Sequence, residues 1–576
     1  MTELTFMQLK KLSRKDHSPL PQYKLAIMGD CATQHLATAI RGCGIHAGLG
    51  LSVLDTDYNQ IDAQVMDPGS ELYAFAPDAV LIQMCTEKLC KAFCETPLDR
   101  RACFAEDTYA RISMIWKQLN ANIRTTVLQC NFPLMDDGAF GQFGNKTADS
   151  FLFQQRKLNF LLMQGSREVK NVYIIDLDAI QASLGRKAFA DPKLYYIAKM
   201  PICVEALPAV AKAVVDMVQA LRGSVKKCVV LDLDNTLWGG VIGDDGLSGI
   251  QIGELGTGQA FSDFQTWLKE LKNRGMLLAV CSKNNEAAAR EPFEKHPEMV
   301  LRLEDFSAFV ANWEDKASNI RGIQKMLNIG MDSMVFLDDN PFERNLVRSM
   351  IPEITVPELP EDPAMYLQYL RGLGLFETAS YSAEDANRTR QYREQSQRTA
   401  FEASCQSYDD YLEGLAMQAK AAAFDPFHYP RIAQLTQRSN QFNLRTVRYT
   451  EAQIEEIAGD DSHICLYFTL KDKFGDHGLI SVVIMDKQGD DSLFVSEWLM
   501  SCRVLKRGME EFIVNKMIRT AAEHGYRKVL GEYIPTPKNA MVKDLYEKMG
   551  FVRVGENRFQ ANVSDFQYNK TFILEE

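Results

Sequence analysis

Asp232 and Asp234, in VVLDLDNTLWGG, stand two residues apart at the end of an apolar run, the place where α/β sheets present their ligands. Side chains at i and i+2 leave a strand on one face. Two carboxylates buried that close drive one to take a proton unless a cation offsets them, and Mg2+ suits carboxylate, carbonyl and water oxygens. A second acidic pair, Asp338 and Asp339 in FLDDN, ends another apolar run and is placed to complete the coordination or hold its waters. Ser282, after LAVC, offers a hydroxyl to a phosphoryl oxygen. Lys316, in NWEDKASNI, offers the charge that a phosphoryl group needs while it changes partners. Thr236 steadies the first loop, while Asn284 and Asn340 stand beside the second and fourth groups as candidates to hold phosphate. Taken singly, an Asp-x-Asp is often a turn former or helix cap and a lone lysine is usually solvated. Their joint occurrence in this order points to Mg2+-dependent phosphoryl transfer.

The elements around these residues predict an α/β multidomain chain. Between residues 24 and 220, strand-like runs (KLAIMGD, DAVLIQM, TTVLQCN, NVYIIDL) alternate with segments of helical period, which reads as a parallel-sheet domain over 1–224. KKCVVLDLD, MLLAVCS and SMVFLDD then define a second α/β domain over 225–375. Residues 376–415 turn polar and read as a solvated helical connector. Residues 416–576 give a helical opening around QLTQRSNQFNL, hairpin-like strands (HICLYFTL, GLISVVIM, LFVSEWLM), the helix GMEEFIVNKMIRTAAEHG and then KVLGEYI, an α+β order.

Composition narrows the function classes. The 576 residues require several cores, and the formal charge of −12 with no long basic run argues against nucleic acid as a partner. No apolar run approaches the roughly 18–20 residues of a membrane span, and the first residues lack the apolar stretch of a signal peptide, so the expected location is the cytoplasm. Thirteen cysteines without any C-x-x-C pair argue against zinc ribbons and for reduced thiols. Cys90 and Cys94, at i and i+4, read as core filling.

The four groups resemble the motifs of the haloacid dehalogenase superfamily: DLDNT, then CS, then a lysine, then DD. That resemblance implies that Asp232 is the nucleophile and Asp234 the acid and base, with Asp232, Asp234 (through its carbonyl), Asp338 and the less certain Asp339 around Mg2+. Only 50 residues separate Asp232 from Ser282, and 34 separate Ser282 from Lys316, too few for a full cap domain. The extension NTLWGGVIGDDG, with FLDDNPFERNLVR, QRSNQFNLRTVRYT, KDKFGDHGLISVVI and MSCRVLKRGME, resembles the FkbH-like subgroup over essentially the whole chain from about residue 24. The subgroup implies a small phosphorylated substrate, 1,3-bisphosphoglycerate or another hydroxyacyl phosphate. Its acyl group passes to a cysteine and then to the phosphopantetheine thiol of an acyl carrier protein. A plain Mg2+-dependent phosphatase and an inactive binding or scaffold protein remain as alternatives.

The flanking parts resemble two further folds. The carboxyl-terminal part looks like GNAT-type acyltransferases, with RVLKRG, from Arg503 to Gly508, at the pyrophosphate loop and coenzyme A or a carrier arm as the implied ligand. Lys506 stands where that loop's first glycine belongs. Cys502, just before it and close in sequence to Arg503, Lys506 and Arg507, is the first candidate for an acyl-accepting thiolate, against a structural cysteine. His477 is its possible base or a turn residue, and Asn539 and Tyr546 are read as that fold's last helix or as core packing. The amino-terminal part resembles SGNH-type hydrolases with Gly29, Asp30 and Cys31 where Gly-Asp-Ser belongs, and with Asn131 at an oxyanion block. No histidine follows Asp191, so the triad is incomplete and the domain reads as degenerate. Cys31 is the second candidate thiol.

Overall fold

The computed structural model describes residues 4–381, 405–489 and 491–576, with Glu394, Arg398 and Phe401 from the segment between. The chain divides into two compact units, residues 2–218 and 219–576. The expected connector 376–415 lies in large part outside the described residues; of it, Tyr408–Gly414 is a helix.

In the first unit, β1 (Gln22–Gly29), β2 (Gly50–Asp55), β3 (Ala79–Gln83), β4 (Thr126–Cys130) and β5 (Val172–Ile175) pair in parallel in the order β2-β1-β3-β4-β5. The strands β3 and β4 are buried throughout, as expected of a parallel sheet covered on both faces.

The second unit holds two sheets. One comprises β6 (Cys228–Leu231), β7 (Leu277–Ser282), β8 (Phe306–Ala311) and β9 (Met334–Leu337), parallel in the order β8-β7-β6-β9. Alternation along these strands sends Val229, Leu231, Leu278, Val280, Val335 and Leu337 into one core. Cys228, Val230, Ala279, Cys281, Met334 and Phe336 enter the other. Both faces are therefore apolar, and polar side chains collect at the strand ends.

The other sheet is mostly antiparallel: β10 (Gln418–Ala423), β11 (His463–Asp472), β12 (Gly475–Gln488), β13 (Ser492–Met500), β14 (Lys528–Glu532), β15 (Val552–Arg553), β16 (Arg558–Asn562) and β17 (Leu574–Glu575). Their order is β15-β16-β14-β13-β12-β11-β10-β17. β13 and β14 run parallel but pair only from Ser492 to Phe494. Beyond that they part, and the chain itself fills the gap. Leu444 N–H donates to Trp498 O (3.2 Å), Met500 N–H to Phe442 O (3.0 Å) and Ile534 N–H to Leu444 O (2.8 Å). The helical reading of QLTQRSNQFNL is thus too long. The helix is Tyr429–Arg438, because the backbone after Ser439 finds partners on β13 and on Ile534. Asn443 Oδ1 also accepts from the backbone N–H of Arg445 and Thr446, a local bond that competes with helix.

Candidate active site

Each motif of the phosphoryl-transfer set lies at the carboxyl end of the four-stranded sheet. Asp232 follows β6, Ser282 closes β7 and Asp338 follows β9. Lys316 is the first residue of the helix Lys316–Leu327, whose start is fixed by Asp315 accepting from Ser318 N–H at 2.8 Å. Its ammonium lies 2.8 Å from Asp232 Oδ2 and 2.6 Å from Asp338 Oδ2, and all three side chains are buried.

Among the described residues, Asp232, Asp338 and Asp339 form a group whose ligand oxygens lie within 4.8 Å of one another. Burial raises the Asp338 carboxyl above its ordinary pKa, the charge of Asp232 adds to this, and Lys316 opposes it. Asp339 is raised by burial and then by Asp232. Burial depresses the Lys316 ammonium, but the two aspartates together outweigh it and hold it above its ordinary pKa. Three carboxylates thus face one ammonium, and Asp232 Oδ1 is buried with no hydrogen-bond partner. An orphaned carboxylate oxygen in an excess of negative charge fits a hard divalent cation such as Mg2+.

Asp234 behaves differently from its expected twin. The strand ends at Leu231, so the alternation of a strand no longer governs it, and Asn235 takes a left-handed φ of 54°. The Asp234 carboxylate accepts from Trp238 Nε1 and Ile242 N–H, both at 3.0 Å, and from Asn284 Nδ2 at 2.8 Å. Its carboxylate does not join the acidic group of Asp232, Asp338 and Asp339. These bonds account for the conspicuous LWGG extension, since the buried Trp238 packs edge-on against Phe293 and aims its N–H at Asp234.

Thr236 braces the two loops, accepting from Asp339 N–H at 3.1 Å. Asn284 reaches Ser282 Oγ (3.4 Å) as well as Asp234. Asn340 is exposed and caps the helix Pro341–Met350 by accepting from Phe342 N–H, so its side chain is engaged in capping. Two residues escaped sequence reasoning. Arg344 Nη1 donates to the carbonyls of Asp338 (2.7 Å) and Asp339 (2.6 Å), and the Tyr366 hydroxyl donates to Asn235 O at 3.1 Å. Position six after Asp338, in the first turn of the helix, was the only sign for Arg344.

The other candidates lie elsewhere. Cys502 is half-buried in a short turn at the end of β13, its carbonyl accepting from Asn328 Nδ2 at 2.9 Å. Arg503 Nε donates to Ser501 Oγ at 3.2 Å. Arg507 is committed to His477 (3.0 Å) and Asp472 (3.5 Å). His477, 2% exposed, also contacts Asp472 at 3.1 Å and is lowered to about 4, chiefly by burial, so it is a structural group. Lys506 adopts a φ of 62° and Gly508 one of 77°, and Lys506 N–H donates to Glu510 Oε1 at 3.3 Å. A carboxylate of the chain itself therefore occupies that donor of the loop where an anion was expected. Tyr546 is 1% exposed and packs on Trp498, Phe551 and Phe559, and Asn539 holds Asn443 O and Ile534 O, both at 2.9 Å.

In the first unit, Asp30 accepts from Cys85 N–H at 2.8 Å, and Cys31 is 1% exposed with its thiol pushed well up by burial and then by Asp30. Asn131 Nδ2 donates to Asp176 at 2.7 Å, and Asp191 caps the helix Pro192–Ala198. Those residues serve packing and capping.

Residues 24–219 match the family described as FkbH, N-terminal domain. The N-terminal part of the protein BF1531 from Bacteroides fragilis, containing a phosphatase domain complexed with Mg, is 48% identical, with a TM-score of 0.63, and the match covers 66% of this chain and 100% of that one. The chain belongs to the FkbH-like family. The carboxyl-terminal part of this FkbH-like chain is also similar to ribosomal-protein-S18-alanine N-acetyltransferase from Escherichia coli, at 13% identity and a TM-score of 0.21 over 27% of this chain and 99% of that one. Spermidine N-acetyltransferase from Vibrio cholerae, in complex with CoA and spermine, matches at 16% identity and a TM-score of 0.21 over 26% and 96%. Neither acetyltransferase bears on ligand or activity here. No curated protein matches the chain. Among the described residues, no helix is long and apolar enough to cross a membrane.

Proposed function

We propose that this FkbH-like chain is a Mg2+-dependent phosphatase that forms an aspartyl phosphate on Asp232. The observation that carries it is the group of buried Asp232 and Asp338 with half-buried Asp339, and Lys316 between the first two. Asp232, Asp338, the Asp234 carbonyl and, directly or through water, Asp339 would hold Mg2+, which when bound offsets the negative charge of the carboxylates and of the phosphoryl oxygens. A carboxylate oxygen of Asp232 attacks phosphorus, the bond to the leaving oxygen breaks, and Asp234 gives that oxygen its proton. Asp234 then takes a proton from water as the water attacks phosphorus, which frees phosphate and restores Asp232. Lys316 and Ser282 stabilise the phosphoryl oxygens.

The finer reading couples this to acyl transfer: the Cys502 thiolate attacks the carbonyl of a hydroxyacyl phosphate, expels phosphate, and yields the acyl group to a carrier-protein thiol. The half-exposed position of Cys502 supports it. One geometric fact favours the plain phosphatase instead. Cys502 is tied to Asn328, which precedes β9, whereas Asp338 follows that strand, so the two chemistries occupy opposite ends of the sheet. Incubation with 1,3-bisphosphoglycerate and Mg2+ decides between them. Acyl transfer predicts a hydroxylamine-labile adduct that Cys502→Ala abolishes; Asp232-dependent phosphate release with no adduct on any cysteine leaves the phosphatase alone.

A further inference from the structure

Apolar side chains rim the mouth of the phosphatase centre. Trp313 is 76% exposed, Phe342 69%, Leu255 87% and Val241 38%. All four come after the carboxyl end of a strand in the four-stranded sheet: Val241 and Leu255 after β6, Trp313 after β8 and Phe342 after β9. The helix Gly256–Asn273 leads back to the start of β7, so Leu255, just before it, lies at that same end. Single exposed apolar side chains are ordinary on a protein surface. Four gathered around one centre form the kind of patch that meets a ligand.

The loops that carry them are tied to the groups of the site. Asn312 N–H donates to Ser282 O at 3.2 Å, Asn312 and Asn319 exchange amide hydrogen bonds of 3.2 and 2.8 Å, and Trp313 stands three residues before Lys316. Three residues of chain span at most ~11 Å. On the other side, Phe342 N–H donates to Asn340 Oδ1 at 2.9 Å, and Asn340 N–H donates to Asp338 Oδ1 at 2.8 Å. Val241 precedes Ile242, whose N–H holds the Asp234 carboxylate at 3.0 Å. With the strands in the order β8-β7-β6-β9, Trp313 and Phe342 stand on opposite sides of the strand that carries Asp232.

In-line displacement decides what fills this mouth. Asp232 is buried at the end of its strand and attacks phosphorus from the sheet side. The leaving oxygen stands opposite the attacking one, so the rest of the substrate points outward between these loops. We propose that the leaving group is apolar: the site takes phosphate monoesters of alcohols whose carbon chain is long enough to lie on Trp313 and Phe342, in preference to short polar esters. The inference rests on the phosphatase reading and names Trp313 and Phe342 as its specificity residues.

The test is a series of n-alkyl phosphates, from ethyl to octyl, with the full chain and Mg2+. Their leaving groups differ little in acidity, so only the reach of the chain changes. A methylene taken fully out of water is worth roughly fourfold in binding, and about twofold where an open rim covers it in part. The value of kcat/KM should therefore rise about tenfold or more from ethyl to hexyl. Trp313→Ala and Phe342→Ala should each cut the hexyl-to-ethyl ratio at least threefold. Binding is read apart from turnover by acrylamide quenching, because the other tryptophans are buried or half-buried and Trp313 dominates the signal. Hexylphosphonate should shield Trp313 where methylphosphonate does not. A flat series in the parent, a ratio that neither variant changes, or no shielding overturns the proposal and leaves the phosphatase standing. Absence of turnover with every ester, an activated aryl phosphate included, overturns the phosphatase reading and this inference with it.

Discussion

The ammonium of Lys316 lies 2.8 Å from Asp232, the carboxylate assigned as nucleophile, and both are buried. One lysine thus does two jobs: it holds the attacking group in place, and it keeps three carboxylates compatible with a folded sheet end. Lys316→Met removes the cation and leaves those carboxylates facing one another. Turnover should fall by about 10²–10³-fold, the usual loss for one electrostatic stabiliser, and stability by ~3–5 kcal/mol, as for a broken buried ion pair. Thermal unfolding with and without Mg2+ checks the cause, since the metal should raise the melting temperature more in the variant than in the parent.

Asp234→Asn keeps much of the hydrogen bonding to Trp238, Ile242 and Asn284 but cannot shuttle a proton. Turnover should drop by about 10²–10⁴-fold. With an activated aryl phosphate, whose leaving group needs no acid, the first step should survive, so a stoichiometric burst of phenolate is expected in rapid-mixing measurements.

Arg344 holds the carbonyls of Asp338 and Asp339 through Nη1 and is itself anchored by Glu358 at 3.0 Å; it touches none of the acidic carboxylates of the site and therefore acts by positioning. Arg344→Ala should weaken Mg2+ binding by roughly 10–100-fold, the range for groups that orient metal ligands. Saturating Mg2+ should restore most of the turnover, which a loss of the nucleophile would not allow.

Three of the four motifs were legible because each ends a short apolar run, a pattern that fixes both the strand and the end where polar groups collect; Lys316 instead opens a helix. The nearest neighbours of those groups were harder to read. The contact between Tyr366 and Asn235 joins residues 131 apart, and nothing local marks Tyr366 for it. Asp234 was placed on the same face as Asp232 by strand alternation, yet the strand stops at Leu231 and a left-handed Asn235 turns the carboxylate away. The helix before Phe442 was overrun for a related reason, since the partners that end it lie on β13 and on Ile534, far along the chain. At Lys506, where a glycine was expected, the backbone takes a positive φ of 62° and its N–H binds Glu510.

Glu497, on β13, is fully buried and pushed up to about 8, above all by burial, against the pull of Arg448 and Arg445. A carboxyl whose folded pKa is raised binds its proton more tightly in the folded state, so its contribution to stability is fully present below 4.5, the ordinary glutamate value. That contribution is lost as pH rises through about 8. Glu497→Gln should flatten this dependence and raise the melting temperature by several degrees in mildly alkaline buffer, as read by calorimetry between pH 5 and pH 9.

In the proposed mechanism phosphorus passes through Asp232. Rapid acid quenching of Asp234→Asn with Mg2+ and an activated aryl phosphate, followed by peptide mass spectrometry, tests it most directly. A phosphate adduct on the peptide containing Asp232, stable in acid, labile to hydroxylamine and absent from the Asp232→Asn, Asp234→Asn double variant, is the predicted result. Phosphate release that persists in Asp232→Asn, or an adduct on any other residue, would contradict it.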